Sequence, residues 1–320
     1  DILINNAGIT RDMLTRGTLQ RYIDESSVTG LTSNPTIYQK AIDGSDAYDD
    51  QMREGHSARL PVEDIYFRLA VDDLQRAADT FGPVHRRTGG VDGFVSLEVS
   101  PRLAYDADGT IDQALMLHEQ AARPNLFIKI PGTQAGLPAI EQSVFAGVPV
   151  NVTLLFTAAQ YAAAAEAYML GLERRLEAGS DVLVPSVASI FVSRGDPAVA
   201  DRVPAHLHNR LGLAMGRDAY RVYRELLESD RWQRLANYGA RPQRLLFAST
   251  GTKDPEAPDI LYVRGLMAPN TVNTMPESTL LAFADHGVVS DPLRRDGGDA
   301  ADVLAAFEER GIDTAALGQE

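Results

Sequence analysis

The sequence predicts an α/β protein, a single (β/α)8 barrel spanning residues 1–320, on three observations. Eight short apolar runs are bounded by turn residues, helical patterns fill the gaps between consecutive runs, and polar residues gather at the C-terminal ends of the runs. Strand–helix alternation is the pattern of a parallel sheet with helical crossovers, and eight such units allow the sheet to close on itself. In a closed barrel, chemistry belongs at the C-terminal strand ends and in the loops just after them.

The expected strands are residues 2–6, 28–32, 93–98, 126–130, 148–153, 186–192, 244–249 and 270–274. Several, above all 126–130, are apolar at both alternating sets of positions, as in strands covered on both faces. Between them, helical patterns run over 14–25, 37–56, 63–80, 111–122, 134–146, 157–177, 209–238 and 276–286, with a last one at 298–311. The clearest is 157–177, alanine-rich, with Thr157 placed as its cap and Gly179 as its stop. In chain order the strand ends bring Asn5 and Asn6, then Thr32-Ser33-Asn34, Glu98, Lys129, Asn151 and Thr153. Ser189 follows with Arg194 just beyond, then Ser249 with Lys253 beyond, and Asn273-Thr274. Each is costly to bury without a partner. For Thr153 and Asn273 alone, a satisfied hydrogen bond closing a strand end is the simpler expectation, but eight ends converging on one polar rim define a site.

Within that rim Lys129 is the informative residue. It interrupts Leu126-Phe127-Ile128-Lys129-Ile130-Pro131, where an amine either reaches water past the strand end or gives up its charge, becoming a nucleophile. Only Lys40, Lys129 and Lys253 among 30 cationic residues are lysine. Arginine does not deprotonate, so a task that needs a neutral amine keeps lysine. Glu98 ends the preceding strand in a Val/Leu-rich run and suits proton transfer through a water. The plain alternative for it is an ion pair with Arg102.

Composition excludes several classes. A net charge of −14 argues against a nucleic-acid surface, which needs clustered cations. The sequence has no cysteine, which rules out disulfides and thiolate metal sites and fits a reducing cytoplasm. No apolar run reaches membrane-spanning length. The pair His206-x-His208 lacks a third ligand at suitable spacing, so no metal is expected.

Six runs in order carry a family resemblance: Gly30-Leu31-Thr32-Ser33-Asn34-Pro35-Thr36, Val95-Ser96-Leu97-Glu98-Val99, Asn125 to Pro131, Val150-Asn151-Val152-Thr153-Leu154, Ser186 to Arg194, and Ala248-Ser249-Thr250-Gly251. From about residue 9 to the C-terminus the chain resembles the transaldolases. The resemblance implies a TIM-type class I aldolase barrel without cofactor or metal, with Lys129 as the Schiff-base lysine and Glu98 as the proton-shuttling glutamate. It implies substrate and water positioning by Thr32, Asn34, Asn151, Thr153, Ser189 and Phe191, and a phosphate site of Arg194 and Ser249. Relatives place an arginine where this chain has Gly251, and Lys253 is expected to reach the same spot around a longer turn. The partners implied are sugar phosphates, with no nucleic acid or membrane, for a cytoplasmic monomer or homodimer of the pentose phosphate pathway.

The N-terminus departs from the pattern. Relatives carry an aspartate at the end of the first strand as the base for carbon–carbon cleavage, and here Asn5 falls in its place. An amide cannot accept that proton. Asp12 or Glu98 substitutes, or cleavage is slowed, or residues 1–8, which resemble a short-chain dehydrogenase strand, are foreign to the barrel. The readings left open are a transaldolase, a fructose-6-phosphate aldolase, and a catalytically impaired sugar-phosphate-binding barrel.

Overall fold

The computed structural model describes residues 3–289 and 291–318, with Leu3–Ala7 described by backbone alone. Eight strands form a closed parallel barrel in sequence order: β1 (Leu3–Ala7), β2 (Val28–Thr32), β3 (Phe94–Glu98), β4 (Leu126–Pro131), β5 (Val150–Leu155), β6 (Ser186–Phe191), β7 (Arg244–Ala248) and β8 (Val272–Met275). β8 returns to pair with β1. All eight expected strands are present, with ends shifted by at most two residues; Ile2 of the expected first strand lies outside the described residues.

The barrel has two cores. Inside, Phe94, Phe127, Val187, Leu246 and Val272 fill the lower layers, with Phe94 and Phe127 stacked at 4.1 Å. Outside, the alternate residues of the strands, such as Val95, Ile128, Val150 and Ile190, meet the apolar faces of the helices. Glu98, Lys129, Thr153 and Ser189 stand toward the C-terminal ends of their strands. The register makes this concrete: Glu98 is level with Lys129, and Lys129 with Asn151, across β3, β4 and β5.

The helical patterns hold in kind but not in continuity. The 14–25 pattern is two helices, Arg11–Thr15 and Thr18–Glu25, broken at Gly17, whose φ of 72° takes the chain left-handed. The 37–56 pattern splits around Gly44 into Pro35–Asp43 and Asp49–Ser57. The 209–238 pattern splits at Ser229, whose hydroxyl caps the second helix by accepting from the Trp232 N–H. In the other direction, the 63–80 pattern runs on to Arg87 through Pro83, because Phe81 and Val84 on either side are fully buried and offset the lost backbone bond. Helix Ala158–Glu177 has the expected cap in full, with Thr157 and Gln160 closing a reciprocal box.

One buried network pins the exit of β1. Arg11 Nε donates to Asp73 at 2.8 Å, and the Tyr38 hydroxyl donates to the other oxygen of that fully buried carboxylate at 2.9 Å. The Arg11 backbone N–H donates to the Tyr48 hydroxyl, and its guanidinium lies 4.4 Å above the Tyr48 ring. Among the described residues no helix is long and apolar enough to cross a membrane.

Candidate active site

Lys129 neither reaches water nor stands alone. Only 6% exposed, it directs Nζ across the β3–β4 step to Glu98 Oε2 at 2.9 Å and to the carbonyl of Ser33 at 3.2 Å. This third arrangement, a pair formed level in the sheet, replaces the choice between solvent and lost charge. It also removes the alternative partner of Glu98, since Arg102 faces Glu63 at 3.9 Å instead. The carboxylate touches the amine directly, so no water is needed between them. The Tyr66 phenol, on helix Val62–Arg87, is pushed up to about 12 by burial and then by the charge of Glu98.

A cavity of about 480 Å³ opens over this pair at the C-terminal mouth of the barrel. Its wall brings together Lys129 and eight of the expected ligand residues: Thr32, Asn34, Thr153, Ser189, Phe191, Arg194, Ser249 and Lys253. Asn34 serves two roles, because its Oδ1 accepts from the Ile37 N–H and caps helix Pro35–Asp43, leaving the amide NH2 for a ligand. Asn151 is corrected: it is 1% exposed and stands behind the wall rather than in it. It accepts from Ser189 Oγ at 2.7 Å and donates to Ser96 Oγ at 3.1 Å, so it orients Ser189. Thr153 is corrected in the other direction. Its hydroxyl closes no strand end and has no partner among the described residues, a condition it shares with Thr32 and Thr274. Each unmade bond costs about 1–3 kcal/mol unless a ligand or water fills it. Three such hydroxyls in one wall are suited to a polyhydroxylated ligand.

The rim is cationic in an acidic protein. Arg194 and Lys253 are exposed, and neither pairs with a carboxylate among the described residues, whereas most other arginines in the fold do. The turn from Ser249 to Lys253 brings the lysine into the same cavity as Arg194. Ser249 sits at φ 57°, a left-handed conformation costing a non-glycine residue about 1 kcal/mol or more, with its Oγ 3.0 Å from Ser193 Oγ. A guanidinium, an ammonium and a hydroxyl thus line one cavity.

Carboxylates are missing from this wall among the described residues. Asn5 is in register with Thr274 of β8 and Gly30 of β2, but its side chain lies outside the described residues. Asp12 does not substitute for it: the residue is off the cavity and pairs with Arg16 at 3.8 Å. Sequence reasoning gave no role to the Ser33 carbonyl or to Ser96. The signal for Ser96 was available, because strand alternation puts it on the same face as Glu98, two residues on. Thr274 was seen only as part of the rim. His208 lies 3.2 Å from the Val203 carbonyl, and among the described residues no three His, Cys, Asp or Glu side chains cluster as metal ligands. In a larger groove of about 1090 Å³ between segments 258–265 and 286–302, Arg217, Arg294 and His286 are each paired with an aspartate.

The fold and site together define a class: a (β/α)8 barrel with a buried lysine–glutamate pair and a mouth lined by hydroxyls and two cations. The chain belongs to the transaldolase/fructose-6-phosphate aldolase family, whose pattern matches residues 9–320. Among its relatives, the transaldolase of Parafrankia sp. (strain EAN1pec) is 46% identical over 316 residues, covering 96% of this chain and 86% of the relative. The transaldolase of Frankia alni is 47% identical over 314 residues, covering 95% and 85%. That of Kocuria rhizophila is 48% identical over 313 residues, with the same coverage.

Proposed function

We propose that the chain is a transaldolase of the pentose phosphate pathway that moves a dihydroxyacetone unit from a ketose phosphate to an aldose phosphate through a Schiff base on Lys129. The observation that carries this reading is the 2.9 Å contact with Glu98 of Lys129, which lines a cavity whose Arg194 and Lys253 pair with no carboxylate among the described residues. Family membership supports the transferase activity. Sequence composition, free of cysteine, is in keeping with a cytoplasmic setting.

The chemistry follows from the contacts. Glu98 takes a proton from the Lys129 ammonium as substrate displaces water, and the freed amine attacks the ketose C2 carbonyl. The same carboxylic acid then returns its proton to the carbinolamine hydroxyl, which leaves as water and yields the iminium. The iminium draws in the electron pair of the C3–C4 bond as that bond breaks, while the C4 hydroxyl gives its proton to the Glu98 carboxylate, freed in the preceding step, and the C4 fragment departs as an aldehyde. The enamine that remains attacks the acceptor aldehyde, and hydrolysis of the new iminium releases product. Ser189, held by Asn151, and the free hydroxyls of Thr32 and Thr153 receive the substrate's hydroxyl groups. Arg194, Ser249 and Lys253 receive its phosphate.

Borohydride reduction in the presence of fructose 6-phosphate tests this reading: a covalent adduct on the peptide containing Lys129 is expected, and its absence overturns the reading. A second reading, a barrel that forms the Schiff base but cleaves slowly, is favoured by Asn5 and by the position of Asp12 away from the cavity. On that reading Glu98, in contact with Lys129, is left to take the C4 proton. Trapping without turnover selects it. Turnover that releases dihydroxyacetone without an acceptor selects a fructose-6-phosphate aldolase.

A further inference from the structure

Thr274 is buried in β8, 3% exposed, and lines the cavity, yet its hydroxyl has no hydrogen-bond partner among the described residues. Its backbone, by contrast, is engaged. The Thr274 carbonyl accepts from Thr250 Oγ1 at 2.8 Å, which ties β8 to the turn carrying Ser249 and Lys253. The residue is level with Asn5 on β1, and β4 with Lys129 stands on the opposite side of the eight-stranded barrel. A threonine whose hydroxyl has no partner among the described residues, at a position where valine has the same shape, is a polar group suited to a ligand.

We propose that Thr274 is a specificity-determining, substrate-binding residue whose hydroxyl bonds a sugar hydroxyl in the phosphate-bearing half of an open-chain sugar phosphate. Its place beside the phosphate turn and across from Lys129 selects that half over the dihydroxyacetone half. The inference rests on the cavity being a sugar-phosphate site, but not on the Schiff-base chemistry.

Glucitol 6-phosphate, which has no carbonyl and forms no adduct with lysine, separates the two. By calorimetry Thr274→Val is expected to bind glucitol 6-phosphate about fivefold more weakly than the parent and inorganic phosphate equally well, from the loss of one neutral hydrogen bond. Its thermal midpoint is expected to rise, because an unpartnered hydroxyl has been removed. Thr274→Ser restores binding, and Thr274→Ala reproduces the loss if valine fails to pack. Ser143→Ala is the control: Ser143 Oγ is equally unpartnered but sits in helix Gly136–Phe145 away from the cavity, so the midpoint rises and binding is unchanged. Undiminished affinity of Thr274→Val or Thr274→Ala for glucitol 6-phosphate overturns the role of Thr274. A parent protein that binds neither glucitol 6-phosphate nor phosphate overturns the sugar-phosphate reading, and with it this one.

Discussion

Lys129 and Glu98 are each the other's compensation, and this sets what substitution does at the residue scale. Replacing Lys129 by Met removes the proposed nucleophile, so borohydride trapping is expected to be lost. It also leaves a nearly buried carboxylate without its cation, which typically costs about 3–5 kcal/mol. Lys129→Met is therefore expected to unfold at markedly lower urea than the parent, while Lys129→Met with Glu98→Gln recovers most of the midpoint without recovering trapping. Equal midpoints for the two variants count against the pair as drawn. At the rim, Arg194→Ala removes a charge-assisted contact worth about 1.5–3 kcal/mol, which is made only when a phosphate is present. The KM for fructose 6-phosphate should rise roughly tenfold or more, with dihydroxyacetone affected little; equal losses on both move the phosphate elsewhere. Asn5→Asp returns a carboxylate to the register position beside Thr274 and Gly30. A general base contributes about 10²–10⁴-fold, so cleavage should increase visibly in a stopped assay, and Asn6→Asp should not reproduce the gain.

At the scale of elements, the exit of β1 depends on helix Val62–Arg87 through Arg11 and Asp73. Asp73 is wholly buried and its remaining cation, Arg76, is 3.9 Å away, so Arg11→Ala leaves the carboxylate poorly compensated. The expected cost is about 3 kcal/mol in chemical denaturation, with Tyr38→Phe costing about 1–2 kcal/mol through the loss of one hydrogen bond to the same group. Hydrogen exchange should quicken first in Arg11–Thr15 and Thr18–Glu25. A second brace holds the loop that carries Arg194. Asp196, 5% exposed, accepts from the Leu211 and Gly212 N–H groups and from the Tyr262 hydroxyl, and burial raises its carboxyl above the usual range. Gly212 is required there because a Cβ would fall 1.9 Å from the Val192 carbonyl oxygen.

Across the whole molecule, tyrosine is built into the outer core. Tyr22, Tyr38, Tyr48, Tyr66, Tyr161, Tyr168, Tyr220, Tyr223 and Tyr262 all have phenols raised above the ordinary value of 10, burial being the largest cause in each. Above about pH 10 the unfolded chain releases these protons while the folded chain keeps them. The unfolded state then binds fewer protons, and stability falls as pH rises. Alkaline unfolding is expected to be steep, with phenolate absorbance from the buried set appearing together with loss of helical circular dichroism. Phenolate that grows in well before the helices melt contradicts this burial.

The sequence by itself determined the barrel and the strands to within two residues, and it singled out Lys129 as the residue out of place. Strand periodicity is local, and a lysine in an apolar parallel strand is anomalous whatever surrounds it. It also determined the rim from Thr32 to Lys253, because strand ends in a parallel barrel converge by topology alone. The tertiary structure decided which polar groups hold one another and which are left for a ligand. Glu98 turned to Lys129 rather than Arg102, Asn151 withdrew behind Ser189, and the Thr153 and Thr274 hydroxyls remained open. It also broke three long helical patterns at Gly17, Gly44 and Ser229 and carried another through Pro83. Hydrogen-bond partnership depends on distances between residues far apart in the chain, and the fate of a proline depends on what its neighbours bury; neither is encoded in local spacing.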